Sequence, residues 1–460
     1  MVPSSTSLVF TVRRCGPELV APAKPTPHEF KQLSDLDDRE SLRFHVPIIQ
    51  FYRYNSSMQG RDPVKVLREA VAQALVFYYP FAGRLREGPG AKHLIECTGE
   101  GIMFIEADAD VALEQFGDAL HPPFPCIEEL LYDVPGSREV LNCPLLLIQV
   151  TRLRCGGFIF ALRLNHVMCD GPGLVQFMNA VAEMAQGTTA PSIQPVWQRE
   201  LLIARNPPRV TCTHHEFDEI VETQSFITNN PLNKMSCKSF FFGSTQVSSI
   251  RKKLPHHLRK CSTFEILTAF TWRCRIISLS LNPQDQVRLI FMNNVRAILN
   301  NPPLPRGYYG NAYAISLVVT TARELCENPL EYALELVRTA KANVTEEYVR
   351  SFIDLVVTKG RPHTTIVQSY VISNTVRVGL YMDYGWGKAV YGGLAKIFER
   401  PSLSTTTFYI QVKNSRGEDG IMVPMCLPTL AMERFVKEVH SVLNDQSDGG
   451  PMSTFINSSM

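Results

Sequence analysis

The run Phe158-Ile159-Phe160-Ala161-Leu162-Arg163-Leu164 is almost wholly apolar, and it passes directly into Asn165-His166-Val167-Met168-Cys169-Asp170 and then Gly171-Pro172-Gly173. Such a run reads as a buried strand. The Gly-Pro-Gly turn opens a helix whose Leu174, Phe177, Met178, Val181 and Met184 form one apolar stripe, with Asp170 placed to cap its first turn. A histidine that ends a buried strand is held in place and can still face a cleft. Its imidazole titrates near neutrality and can take a proton from a hydroxyl. A His four residues before an Asp is a common spacing, so the rest of the chain has to decide what this one does.

At 460 residues the chain is long for one hydrophobic core, and two domains are expected. Strands and helices mix in both halves, which gives an α/β (α+β) class. Residues 1–190 form the first unit, a polar, proline-punctuated stretch over 191–233 the connection, and 234–460 the second unit. Lys plus Arg is 46 and Asp plus Glu is 44, a net of +2, which excludes a broad electrostatic footprint for nucleic acid. The 12 cysteines are scattered without a CxxC pair, so neither a disulfide framework nor a zinc ribbon is expected. The start lacks a basic segment followed by a long apolar one, so no secretory leader is expected. No run approaches 18 apolar residues, so no helix is expected to cross a membrane. Ser458-Ser459-Met460 resembles a peroxisomal tripeptide only loosely, because its middle residue is not basic. A cytoplasmic monomer is the expectation.

In the second half, Ser262-Thr263-Phe264-Glu265 has the S-x-x-E spacing of a capping box for a helix to about Ile277. Helices are also expected over Asp62–Tyr79, in two pieces over Asn328–Thr358, and over Thr429–Leu443. Strands are expected over Leu42–Tyr54, Leu145–Leu153, Val287–Asn293, Ile366–Val371, Phe408–Val412 and Ile421–Met425.

A second cluster is Asp383-Tyr384-Gly385-Trp386-Gly387, where two glycines flank one of three tryptophans. Glycines permit a tight turn, and Trp adds a flat apolar wall with one N–H donor. Taken alone this is most simply a turn with a packed Trp.

Together the two clusters resemble one family, the plant BAHD acyltransferases, with its HxxxD and DFGWG patterns. Tyr79-Pro80-Phe81-Ala82-Gly83-Arg84, Ser262-Thr263-Phe264-Glu265 and Tyr309-Gly310-Asn311-Ala312 match as well, in order along nearly the whole chain. Leu8 to Leu85 looks most like the alcohol acyltransferases of fruits and flowers and their benzyl alcohol benzoyltransferase relatives. Tyr384 departs from the pattern, which has Phe, a mild change to an aromatic wall.

The resemblance implies two chloramphenicol-acetyltransferase-like domains with the active-site channel between them. It implies an acyl-CoA-dependent alcohol O-acyltransferase that forms esters and free CoA, with acyl-CoA and a small alcohol as substrates. No permanent cofactor, metal, nucleic acid or membrane partner is implied. His166 is then the general base in a ternary complex and Trp386 a candidate oxyanion donor or channel wall. The resemblance further implies a structural Asp170 paired with Arg296, and loop-shaping roles for Asp383, Gly385 and Gly387. An N-acyltransferase acting on an amine, or a non-catalytic CoA-binding relative, are the alternatives.

Three other features bear on chemistry. Cys169 lies near His166 in sequence, which raises a covalent acyl-enzyme as a minor alternative. Arg251 to Lys260 carries five Arg or Lys residues directly before the capped helix. It reads as a solvated face, or as a seat for coenzyme A phosphates with contacts from Ser262, Thr263 and Ser373. Cys212, His214, His215, Glu216 and Asp218 look superficially like metal ligands, but they fall in the connection, where a solvated loop is expected.

Overall fold

A computed structural model describes residues 8–117, 120–137, 139–218, 235–365, 369–397, 405–414 and 416–443, with the backbone of 455–456. The expectations on 1–7, 219–233, 366–368 and 458–460 lie outside the described residues.

The apolar strand Phe158–Asn165 is buried along its whole length. It lies mid-sheet, antiparallel to Leu146–Leu153 on one side and to His45–Tyr52 on the other. The sheet runs Val12–Arg14, Ile102–Ala109, Leu146–Leu153, Phe158–Asn165, His45–Tyr52, Tyr391–Leu394, and Glu18–Val20 also pairs along Ile102–Ala109. Helices Pro63–Phe77 and Gly171–Ala185 pack on each other beside it. Each starts at an aspartate whose carboxylate accepts a first-turn backbone N–H, Asp62 from Val64 and Asp170 from Gly173. Such a cap is worth about 1 kcal/mol.

A second sheet is ordered Tyr313–Thr321, Gln286–Asn294, Ser369–Asn374, Thr406–Lys413, Asp419–Pro428, Met235–Gly243, Phe455–Ile456. Thr263–Leu279 and Thr429–Leu443 pack together on it. The former begins with the reciprocal Ser262/Glu265 cap. The two-piece helix resolves into Leu330–Ala342 and Glu346–Thr358.

The units are not contiguous in sequence. Tyr391–Leu394 pairs with His45–Tyr52 in the first sheet, and Leu380, Met382, Tyr384, Trp386 and Ala389 pack into the first core. Without this segment the His45–Tyr52 strand would expose an unpaired edge. The cysteine expectation is also corrected. Cys237 and Cys426, 189 residues apart, stand opposite each other in the antiparallel register of the second sheet and form a disulfide.

Candidate active site

His166 sits on the turn that ends the buried strand. Its backbone N–H donates to the Phe44 carbonyl at 2.9 Å, and the Phe44 ring lies 5.4 Å from the imidazole, tilted by 58°. Nδ1 is buried and has no hydrogen-bond partner among the described residues, which leaves Nε2 as the nitrogen open to an incoming group. Burial pushes the imidazole pKa below its ordinary value, and the Arg39 charge acts in the same direction. The ring's own carbonyl and the Asp170 and Asp37 carboxylates oppose that shift. At neutral pH the ring is therefore uncharged, the state a proton acceptor needs.

The turn after His166 is gripped from several sides. Arg296 meets Asp170 with both arms of its guanidinium, at 2.8 Å each, and Arg296 also donates to the Gly310 carbonyl at 2.7 Å. Asp170 accepts from the backbone N–H of Gly173 and of Ala312, both at 3.0 Å. All its acceptor capacity is thus spent on holding the turn, and its carboxylate is not a partner of the imidazole. Asn311 donates its side-chain Nδ2 to the His166 carbonyl at 2.8 Å. The same amide and the Asn311 backbone N–H donate to Asp37, at 2.8 and 2.9 Å. Arg199 donates to the Met168 carbonyl at 2.8 Å. Sequence reasoning misses the roles of Asp37, Asn311 and Arg199. Asn311 stands within a matched segment, and Asp37 within the charged run Asp35 to Arg39, but no spacing connects 37, 199 and 311.

Trp386 is not brought to His166. It packs edge-on against Phe158 at 5.3 Å, and Phe158 opens the strand whose far end, Asn165, adjoins His166, roughly 25 Å away at about 3.3 Å per residue. An oxyanion at His166 is out of reach of its indole N–H. The loop is built as a clasp on the first sheet. Asp383 Oδ1 accepts the N–H of Gly385 and Gly387 at 2.7 and 2.9 Å, and both glycines hold left-handed φ, +104° and +91°. Gln50 donates to the Leu380 carbonyl at 2.8 Å, and Tyr52 to that of Met382 at 3.0 Å. The Tyr384 hydroxyl donates to Gln50 Oε1 at 3.1 Å, so the departure from Phe is satisfied internally.

At the capped helix, Thr263 and Arg251 line a cavity of about 400 Å³ together with Gly243, Ser244 and Gly420. Ser262 is engaged in the cap, with its Oγ 2.8 Å from Glu265 Oε2. Ser373, on the Ser369–Asn374 strand, is half-buried and does not line this cavity. Two of the basic residues are engaged with backbone carbonyls of their own segment. Arg251 donates to the carbonyls of Arg259 and Cys261, and Arg259 to that of Leu254 at 2.9 Å.

Cys169 is buried, and burial holds its thiol well above the ordinary range, so it stays protonated. Of the residues around 214, His215 and Asp218 are exposed, but His214 and Glu216 are buried and not part of a solvated loop. His214 bridges Glu216 Oε1 at 3.0 Å and Ser351 Oγ at 2.9 Å, and Tyr348 donates to Glu216 at 2.8 Å. Burial of His214 and Glu216 makes this cluster a fastener of the connection onto the Glu346–Thr358 helix. Among the described residues no group of three or more His, Cys, Asp or Glu side chains is placed to hold a metal ion. No helix among them is long and apolar enough to cross a membrane.

The family model described as the Transferase family matches residues 10–442. The chain is 64% identical over 440 residues to benzyl alcohol O-benzoyltransferase of Nicotiana tabacum, covering 95% of each. It is 51% identical over 446 residues to alcohol acyl transferase 1 allele GSa of Malus domestica, covering 96% of each. Among solved structures, that of vinorine synthase superposes with a TM-score of 0.71 at 20% identity, covering 94% of this chain and 98% of that one. The fold is thus that of the two-domain acyltransferases, and the chain belongs to the plant BAHD acyltransferase family, alongside its alcohol acyltransferases.

Proposed function

We propose that this protein transfers an acyl group from acyl-CoA to an alcohol, with His166 as general base in a ternary complex, and that an aromatic acyl-CoA and benzyl alcohol are among its substrates. The observation that carries the reading is the imidazole on a turn held by Asn311, Arg199 and the Asp170–Arg296 pair, buried at Nδ1 and open at Nε2, with burial favouring its neutral form. An alcohol attacks a thioester only if its proton leaves as the C–O bond forms. His166 Nε2 takes that proton, the alcohol oxygen bonds to the carbonyl carbon, and the resulting tetrahedral oxyanion collapses with cleavage of the C–S bond. The proton then passes from Nε2 to the thiolate sulfur, leaving ester and CoA. Such a base is worth ~10²–10⁴-fold, or roughly 3–5 kcal/mol.

Phe44, 37% exposed beside the imidazole, supplies an aromatic wall where substrate approaches. The relatives named for benzyl alcohol, 64% and 62% identical, favour the same substrates. Thr263 and Arg251, in the cavity at the capped helix, are the best-placed CoA contacts, with Ser262 and Ser373 secondary. Asp170, Arg296, Asp383, Gly385 and Gly387 hold the two loops and touch no substrate. The reading takes the enzyme as a cytoplasmic monomer of two acyltransferase domains without a resident cofactor.

The test is a panel of acetyl-, butanoyl-, hexanoyl- and benzoyl-CoA against short alcohols, benzyl alcohol and an amine, read by product mass and CoA release. Ester and CoA in equal amounts are expected, with benzyl benzoate among the products. Amide alone, or tight CoA binding without any product, overturns the reading.

A further inference from the structure

The HxxxD turn is held at two backbone carbonyls by side chains from outside its own domain. Asn311 takes that of His166, and Arg199 takes that of Met168, each at 2.8 Å. Both donors meet one carboxylate, Asn311 by hydrogen bonds and Arg199 by charge alone. Asn311 donates twice to Asp37 Oδ1, and Arg199 Nε stands 3.4 Å from Asp37 Oδ2. Asp37 is itself fully buried and is fixed by Ser34 Oγ at 2.6 Å. Three distant parts of the chain, Asp37 in the first half, Arg199 in the connection and Asn311 in the second half, therefore converge on one turn.

Arg199 is the least expected of the three. It lies in the connection and is yet only 1% exposed. Its guanidinium lies 4.4 Å from the Trp197 ring, 4.9 Å from Tyr309 and 5.2 Å from Tyr308. This box leaves it one position. A Cβ at residue 310 would fall on Arg199 Nη1, so Gly310 is the space the guanidinium occupies. The backbone of Gly310 is not left-handed, so an alanine there is opposed by that contact and not by its φ.

We propose that Arg199 is a positioning residue for the reaction: paired in charge with Asp37 and boxed by three aromatic rings, it sets the Met168 carbonyl and so the turn that aims His166 Nε2. A base has to sit within about 2.6–3.2 Å of the proton it takes, and a misplacement of about 1 Å can cost ~10²-fold. The planar guanidinium delivers this because its Nη2 reaches the Met168 carbonyl while its plane is stacked among the rings beside the Asp37 carboxylate, and an ammonium cannot match that shape. The inference rests on His166 being the base.

The experiment combines Arg199→Lys, Gly310→Ala and the double variant, with kcat, KM for both substrates and thermal midpoint measured for each. Arg199→Lys keeps the charge beside Asp37. It is expected to lower kcat about 10- to 100-fold at temperatures well below its unfolding midpoint, with both KM values within about 2-fold. Gly310→Ala, which displaces the guanidinium, is expected to lower kcat by about 10-fold or more in the native background. In the Arg199→Lys background, where the guanidinium no longer fills that space, it is expected to lower kcat by less than about 2-fold. Arg199→Lys with a lowered midpoint but unchanged kcat, or equal cost of Gly310→Ala in both backgrounds, overturns the proposal. If Arg199→Lys does not fold, Gly310→Ala alone decides, and an unchanged kcat overturns it. His166→Ala separates the two ideas. If it is inactive while the Arg199 variants are normal, only this inference fails, and if it is active the base itself is wrong.

Discussion

Arg296 and Asp170 face each other fork to fork, 2.8 Å on both arms, across the boundary between the two halves of the chain. Asp170 also caps the helix that follows and accepts from Ala312. One carboxylate thus ties the His166 turn to the next helix and to the second half. Removing one member of such a pair leaves the other charge stranded, at a cost of about 3–5 kcal/mol. Asp170→Ala is expected to lose that much stability in denaturant unfolding together with its turnover. An Asp170→Ala enzyme with native stability and no turnover contradicts a purely architectural Asp170.

The loop at Asp383 is expected to report stability and not chemistry. Tyr384→Phe removes one buried hydrogen bond to Gln50 and should cost about 1 kcal/mol, with kcat within about 2-fold of native. Trp386→Phe, with its indole against Phe158, should likewise lower the thermal midpoint while kcat measured below it changes less than about 10-fold. A selective collapse of kcat in either variant at native stability would bring the loop into the chemistry.

The pH profile follows from the burial of His166. On the proposed mechanism the active form is the neutral imidazole, and its pKa lies below the ordinary value because burial and the Arg39 charge disfavour the cation. Activity is therefore retained as pH falls through about 6.5, the ordinary imidazole value, and the acidic limb of kcat/KM has its midpoint lower. Arg39→Gln takes away one of the two downward influences, so the midpoint should move up. A native midpoint above about 6.5, or a downward move in Arg39→Gln, contradicts this electrostatic account.

Cys169 is buried beside Asp170 with its thiol held protonated. Cys169→Ala should turn over within about 3-fold of native, and the native enzyme should show no burst of covalently bound acyl group. Detection of an acyl-cysteine by mass would replace the direct transfer with a two-step one.

Local chemistry was legible and long-range convergence was not. Ser262 and Glu265 mark a helix start because the cap is made within four residues, and Thr429–Leu443 is readable because its apolar stripe repeats at helical period. The Phe158–Asn165 strand is readable because its burial leaves no alternation. Tyr391–Leu394, with two glycines in four residues, carries no strand signal, since only pairing with His45–Tyr52 makes it one. His214 and Glu216 read as solvated because their partners, Ser351 and Tyr348, are more than a hundred residues away. The same holds at the site. His166 announces itself by its strand and turn, while Asp37, Arg199 and Asn311 meet only in three dimensions. The distance of Trp386 from His166 is hidden for a related reason, since two motifs that occur together in a pattern carry no information on their separation along a strand.

The central claim is that the neutral, open Nε2 of His166 removes the alcohol proton, and single-turnover ester formation by His166→Ala tests it most directly. Benzoyl-CoA and benzyl alcohol, at saturating concentration and at a temperature where native and variant are equally folded, are the reactants. The account predicts a loss of about 10²–10⁴-fold in the chemical step, with acyl-CoA binding retained. Ester formation by His166→Ala at the native rate would contradict it.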